Sequence, residues 1–296
     1  MSIKGIKELY PKIPLSEKIK GYIALCRPFT LLAPVLAGVF GVLAPVEAIT
    51  WDHVRIAVYV GVTLALLQAV GQIVNQVIDV ELDKRVKPYR PLPKGIISVD
   101  EAMGLAWILT IIAVARSFTV SVYFGLMSLA ILFFSVFYSL PPLSPRRVNP
   151  LLNLFWVSFS RGFLPFIATY SIYGDINEAI AYSTIALFWC LALQGTKDIN
   201  DAVYDKEFGI KTVANTYGLT GLRVLAIIML ILHGVVTLAL GKTLLLTVTV
   251  LGFVGVVTMN KVFYLLENNV AWAIYYIGLG LHYIVAFLYY GHFFVV

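Results

Sequence analysis

An all-α, polytopic membrane bundle of about nine transmembrane helices is predicted by three observations. Hydrophobic residues make up 60% of the 296-residue chain and charged residues only 13%, whereas soluble domains are roughly half apolar and about a quarter charged. Mean hydropathy is +0.88. Nine apolar runs also follow one another with short connections, each near the roughly 20 residues that cross a hydrocarbon core. Length alone would suggest roughly two soluble domains, but in a bilayer residues 1–296 form one transmembrane domain.

The chain opens with a basic segment, 1–21, that carries Lys4, Lys7 and Lys12 and is broken by Pro11 and Pro14 before any apolar run. It has no A-x-A cleavage pattern, so it is expected to lie at the interface rather than to be a removable signal peptide. The runs then fall near 22–45, 54–80, 98–115, 118–140, 151–173, 179–197, 222–240, 243–264 and 270–292. Pro28 and Pro34 interrupt the first and Pro165 the fifth, which is tolerated where neighbouring helices satisfy the freed backbone groups. Gly38-Val-Phe-Gly41 points to close helix packing. Cys26 and Cys190 both sit in apolar stretches, without the spacing of a disulfide framework or metal site, and are expected to pack.

Basic residues set the orientation. Eighteen Lys and Arg fall on the N-terminal side of the membrane, against Arg55, Arg116 and Lys242 on the other, so the basic face is expected in the cytoplasm. The net charge of +6 therefore reports topology and anionic headgroups, and no nucleic-acid-binding motif accompanies it.

Seven of the sixteen acidic residues lie in two short stretches, 79–83 and 198–207, each ending a span on the basic side. Asn75, Asp79 and Asp83 recur every four residues, so on a helix all three project from one face. Asp198, Asp201 and Asp205 have the i, i+3, i+7 spacing of another such face. Carboxylates near a membrane core are costly unless paired or functional. Mg²⁺ is the natural counter-charge, because it takes oxygen ligands and commonly joins a few carboxylates to substrate phosphates. Lys84, Arg85, Arg90 and Lys94 follow the first cluster, and Lys197, Lys206 and Lys211 surround the second. An anion belongs between them, although any single Lys or Arg is equally an ordinary positive-inside charge.

At these residues the sequence resembles the UbiA superfamily of intramembrane prenyltransferases. The first signature reads Asn75-Gln-Val-Ile-Asp79-Val-Glu-Leu-Asp83, followed by Arg90-Pro-Leu-Pro-Lys94-Gly95. The second reads Lys197-Asp-Ile-Asn-Asp201-Ala-Val-Tyr-Asp205-Lys-Glu-Phe-Gly209. Arg27-Pro28 at the first span, and Tyr138-Ser139 with Pro141-Pro142 closing the fourth, extend the likeness over the chain. Two departures stand out: Gln76, where many members carry a second Asp, and Tyr204-Asp205, where many have Gly-Asp.

The resemblance implies a helical bundle around a central cavity opening toward the cytoplasmic side. It implies Mg²⁺ held by Asn75, Asp79, Asp83, Asp198, Asp201 and Asp205, with Asp79 and Asp198 central to catalysis. The substrates would be a polyprenyl diphosphate, for example geranylgeranyl diphosphate, and a lipophilic acceptor. Tyr138 matches a tyrosine beside the allylic carbon, where cation–π contact is worth about 0.5–2 kcal/mol. Arg146 or Arg147 matches a diphosphate-contacting base, and Arg27, Lys84, Arg90, Lys94 and Lys197 join the expected substrate-binding set. The loop 84–95 is an expected lid with limited mobility. Arg161 is an intramembrane charge and hence a functional candidate, for an acceptor acid or phenolate, or else the structural partner of an acidic side chain.

Asn149-Pro150, Arg161-Gly162 and Pro165 resemble the branch that prenylates aromatic quinone precursors. Lys197-Asp-Ile-x-Asp201 also resembles archaeal enzymes that build glycerophosphate lipids. Glycine pairs at 218–221 and 278–280 lack the strand-turn-helix context of nucleotide loops, and the four His lack ligand spacing, so redox-cofactor and metalloprotease chemistry are not expected. The alternative class is a cation-coupled transporter using the aspartates as ion ligands; such sites usually lie near the midplane on broken helices, whereas both clusters here end spans beside basic loops.

Overall fold

The computed structural model describes residues 13–263 and 268–295. Lys4, Lys7 and Lys12 of the expected interfacial segment lie outside the described residues, as does residue 264 at the end of the eighth expected run.

The first apolar run becomes two helices, α1 (Leu15–Leu25) and α2 (Leu32–Leu43), joined through a tight turn at Pro28–Leu31 and bent by 43°. Arg27 adopts a left-handed φ of 50° at the bend, a conformation that costs an L-residue roughly 1–2 kcal/mol. α3 (Trp51–Ile78) starts at a capping box between Thr50 and His53, which satisfies backbone donors the helix cannot bond itself. α4 (Val80–Val86) follows after a break at Asp79 alone. α5 (Val99–Val120) begins on the Ser98–Glu101 box and α6 (Val122–Phe137) on Ser121.

α7 (Pro145–Val148) precedes the fifth run, which holds α8 (Pro150–Ser158) and α9 (Leu164–Tyr170) with a π turn at Phe159–Phe163 between them. Pro165 has no N–H for the carbonyl of Arg161, four residues back, and the helix widens at that point. α10 (Ile176–Leu193) passes into a tight turn at Gln194–Asp198, then α11 (Ala202–Glu207). α12 (Val213–Ala239) is kinked at Gly218, whose φ of 68° suits glycine; its apolar part thus begins where the sequence placed it. α13 (Leu246–Val257) and α14 (Val270–Leu288) complete the bundle. Two short pairings close the far end and one loop: Ala48–Ile49 runs parallel to Phe293–Phe294, and Val262–Phe263 antiparallel to Asn268–Asn269.

Among the described residues each of the nine apolar runs contains a helix, in the expected order, although the eighth is helical only to Val257. Among the described residues six helices are long and apolar enough to cross a membrane, or seven if the bent first pair counts as one span. The fourth and eighth runs form shorter apolar helices, Val122–Phe137 and Thr243–Val257. These lengths, and membership of the family identified below, make this an integral membrane protein.

The helices α2, α3, α6, α9, α10 and α14 touch in sequence to form a ring, with α5 against α3 and α12 and α13 on the outer side of α10 and α14. One end of the ring is filled: Phe166 stacks on Tyr283 with centroids 3.9 Å apart and on Tyr182 at 5.9 Å. Close approach of α2 and α3 depends on Gly38, where an added Cβ would lie 2.2 Å from the Gly61 backbone. The other end, where α3 and α10 terminate, remains open as a polar chamber.

Candidate functional site

Asn75, Asp79, Asp83, Asp198, Asp201 and Asp205 all line this one cavity of about 230 Å³. The four-residue spacing of the first cluster survives the break, because the Asp79 N–H bonds the Asn75 carbonyl at 2.9 Å and the Asp83 N–H bonds the Asp79 carbonyl at 2.8 Å. The second cluster is not a continuous helical face. α10 gives way to a tight turn ending at Asp198, and Asp201 caps α11. The turn, rather than helical stacking, brings the three carboxylates to the cavity.

Four carboxylates bond basic side chains of the chain itself. Arg146 lies along Asp79 with Nη1 2.6 Å from Oδ2 and Nη2 2.7 Å from Oδ1. Arg90 donates to Asp83 at 2.6 Å. Lys87 donates to Asp201, tying α4 to α11 across the chamber, and Lys197 stands 3.5 Å from Asp198. Among the described residues Asp205 has no such ion pair, although it is 7% exposed. Burial first, and then the charges of Asp198 and Asp201, push its carboxyl up to about 7. Burial also raises the Asp83 carboxyl, against the pull of Arg90.

Asn75 donates its amide to Asp79 at 2.8 Å and to Ser139 at 2.9 Å, which leaves its carbonyl oxygen for a cation. Gln76 takes no part in the chamber lining. It is buried and donates to the Leu25 and Gln72 carbonyls, fastening α1 to α3.

Tyr138 caps α6 and turns its ring into the chamber. Lys197 donates to its hydroxyl at 3.1 Å and sits 5.1 Å from the ring centre, while the Arg146 guanidinium is 5.5 Å away. Arg161 projects from the π turn and donates to the Tyr276 hydroxyl at 2.9 Å. Arg27 reaches the same wall of the chamber from the α1–α2 bend. Among the described residues neither arginine has an acidic partner, so Arg161 is not the structural ion pair the sequence allowed for.

The remaining expected bases point elsewhere. Lys84 is exposed and pairs with Glu81 at 2.6 Å; Lys94 is exposed; Arg147 is exposed and donates to the Phe208 carbonyl at 2.9 Å. Of the Arg146 and Arg147 pair, only Arg146 lines the cavity. Sequence reasoning passed over Lys87, Gln68, Gln72, Trp156, Ser160, Trp272 and Tyr276, which also line it. One signal was available: Gln68, Gln72, Asn75 and Asp79 share a helical face inside an otherwise apolar span.

Among the described residues, no three acidic, His or Cys side chains stand close enough to hold one metal ion in these positions. The donor set nevertheless suits a hard cation: five carboxylates and an amide oxygen face one chamber, and Asp205 is buried without a counter-ion. A second, more apolar cavity of about 40 Å³ shares Gln68, Ser160, Arg161 and Tyr276 with the chamber and continues between Ala33, Ala37, Leu64, Ile131 and Leu279.

Fold and chamber together define a helical membrane protein with two acidic motifs meeting at one end of a ring of helices. The chain belongs to the UbiA prenyltransferase family, whose family model matches residues 31–293, and it is an enzyme of that class. It is 28% identical over 216 residues to the digeranylgeranylglyceryl phosphate synthase of Saccharolobus solfataricus, covering 72% of this chain and 74% of that one. It is 29% identical over 252 residues to a probable homogentisate phytyltransferase of Oryza sativa, covering 76% and 64% respectively. A UbiA homologue from Archaeoglobus fulgidus, solved with GPP and Mg²⁺, shares the fold with a TM-score of 0.71 at 22% identity, over 90% of this chain and 98% of that one.

Proposed function

We propose that the protein is a Mg²⁺-dependent transferase that moves a polyprenyl group from its diphosphate to a lipophilic acceptor within the membrane. The observation that carries this reading is the convergence of Asn75, Asp79, Asp83, Asp198, Asp201 and Asp205 on one chamber beside the Tyr138 ring. All nine apolar runs would then span or enter the bilayer, with the chamber mouth on the cytoplasmic, Lys- and Arg-rich side.

The carboxylates and the Asn75 carbonyl would hold Mg²⁺, which when bound supplies positive charge against the departing diphosphate. Arg90, Lys87, Arg146 and Lys197 bind the diphosphate oxygens with charge-assisted hydrogen bonds. Tyr138 presents its ring face to the allylic cation as the carbon–oxygen bond to diphosphate breaks. Phe134, Trp156, Trp272 and Tyr276 exclude the water that would otherwise trap that cation as an alcohol. The apolar cavity past Arg161 takes the prenyl chain.

Arg27 and Arg161 offer their guanidinium groups to an acidic group on the acceptor. Both acceptor classes carry one, a carboxylate on an aromatic quinone precursor such as homogentisate or hydroxybenzoate, and a phosphate on an archaeal glycerophosphate lipid. The relatives' names include both chemistries.

The test is purified protein with Mg²⁺ and geranylgeranyl diphosphate, screened against phenolic acids and glycerophosphates. Pyrophosphate release with a prenylated product by mass is expected. Ion or substrate flux into liposomes without prenyl consumption would favour the transporter reading instead.

A further inference from the structure

The carboxylates assigned to the metal are engaged by side chains assigned to the diphosphate. Asp79 is the extreme case. Both of its oxygens accept from the Arg146 guanidinium, and Oδ2 accepts from Asn75 as well. Arg146 and Asp79 are 2% and 9% exposed, so water screens little of their attraction. A divalent cation at Asp79 competes with this fork, because two like charges would then share one buried carboxylate. Displacing the guanidinium leaves it buried without its carboxylate, which is strongly unfavourable.

A second observation says where the guanidinium goes. Arg146 Nε is buried with no hydrogen-bond acceptor among the described residues, and a buried donor left in this way is costly. The Asp79 fork uses only Nη1 and Nη2 of a group with five N–H donors. An anion with several oxygens can serve both the displaced Nη atoms and Nε. The same exchange is open to Arg90 on Asp83 and to Lys87 on Asp201, but only Arg146 grips both oxygens of its partner.

We propose that Arg146 is a latch that makes metal binding at Asp79 conditional on a diphosphate. With no diphosphate in the chamber, Arg146 competes with the metal for Asp79. With diphosphate present, Arg146 transfers to its oxygens and Asp79 is released to the metal. No covalent bond changes; the Arg146–Asp79 ion pair gives way to two others, Arg146 with the diphosphate and Asp79 with the metal. The consequence is reciprocal coupling, in which metal and diphosphate each tighten the other by the same factor. Arg146 thus acts as a positioning residue on the metal site as well as a diphosphate ligand. The inference rests on the metal-and-diphosphate reading of the chamber given under Proposed function.

The experiment is Mn²⁺ binding, followed by electron paramagnetic resonance, to the full chain in detergent with and without inorganic pyrophosphate, corrected for Mn²⁺–pyrophosphate complexes in solution. In the wild type, pyrophosphate is expected to tighten Mn²⁺ binding by about tenfold or more. In Arg146→Gln, Mn²⁺ without pyrophosphate is expected to bind about tenfold tighter than in wild type, and the effect of pyrophosphate to shrink correspondingly. Arg147→Gln, on the exposed neighbour, should behave as wild type.

Unchanged metal affinity and unchanged coupling in Arg146→Gln would overturn the latch while leaving the metal site standing. Wild-type protein that binds Mn²⁺ equally well with and without pyrophosphate would do the same. Wild-type protein that binds no Mn²⁺ under either condition would overturn the latch and the metal part of the proposed function together. If Arg146→Gln does not fold, Arg146→Lys keeps the charge but loses the fork. It should raise pyrophosphate-free affinity severalfold, and no rise there also refutes the latch.

Discussion

Arg146 and Asp79, 67 positions apart in sequence, meet through two parallel hydrogen bonds of 2.6 and 2.7 Å inside the chamber. The pair joins α7 to the break that ends α3. It also makes Asp79 both a structural partner and a proposed metal ligand, and the two roles respond differently to substitution.

Asp198→Ala is expected to abolish prenyl transfer with the fold retained. Lys197 keeps the Tyr138 hydroxyl as a partner at 3.1 Å, so little structure depends on Asp198. Asp79→Ala is expected to abolish transfer and also to cost about 3–5 kcal/mol of stability, because it strands a buried guanidinium. Product formation and thermal unfolding of both variants check this; full turnover in either would refute the proposed ligands.

Tyr138→Phe keeps the ring and loses the hydroxyl that Lys197 bonds. It should retain most of kcat. Tyr138→Leu removes the ring face and should lower kcat by about 3- to 30-fold, the equivalent of about 0.6–2 kcal/mol of cation–π stabilisation. Equal loss in both variants would mean that the hydroxyl, not the ring, matters.

Asp205 has its carboxyl pushed up to about 7 in the fold by burial and its acidic neighbours, against about 3.9 in an unfolded chain. A raised folded value favours the protonated form, so the group's stabilising contribution is present below the unfolded value and lost as pH rises through the folded one. With chelator present, Asp205→Asn should melt above wild type at about pH 8, and the gap should close as pH falls toward about 4. A gap that is constant with pH would contradict this assignment.

Gly38→Val should destabilise by at least about 2 kcal/mol, because its Cβ would meet backbone rather than a movable side chain. The Gly61 backbone would lie 2.2 Å away. Gly95→Ala meets nothing within 4 Å, and its cost comes only from a φ of 70°, about 1 kcal/mol. Denaturation of the two variants in the same detergent compares them directly.

The order of the apolar runs and the meeting of the two acidic motifs were legible in the sequence because each rests on a local pattern: hydropathy over ~20 residues, or carboxylates at fixed spacing. Gly38-Val-Phe-Gly41 was legible for the same reason. Span length was less so, since α6 and α13 end where turns intervene that hydropathy does not register. Side-chain direction in the loops was least legible. Lys84, Arg90 and Lys94 belong to one basic stretch, yet only Arg90 faces the chamber, because Asp83 stands within its reach while Lys84 finds Glu81 first. Lys87 belongs to the same basic stretch, but its pairing with Asp201, 114 residues away, leaves no mark in the local sequence. Arg161 is legible as a charge in an apolar run, but its partner, the Tyr276 hydroxyl, is set by the placing of the π turn beside α14, which the sequence does not display.

The central claim is that the two acidic motifs grip one metal–diphosphate complex. Its most direct test is a crystal of the protein grown with Mn²⁺ and an unreactive geranylgeranyl thiodiphosphate, measured at the manganese absorption edge. Anomalous peaks between the clusters, about 2.0–2.3 Å from carboxylate oxygens of Asp79 and Asp198 and bridged by the diphosphate, are the expected result. Manganese bound away from these residues, or a diphosphate seated with no manganese between the motifs, would contradict it.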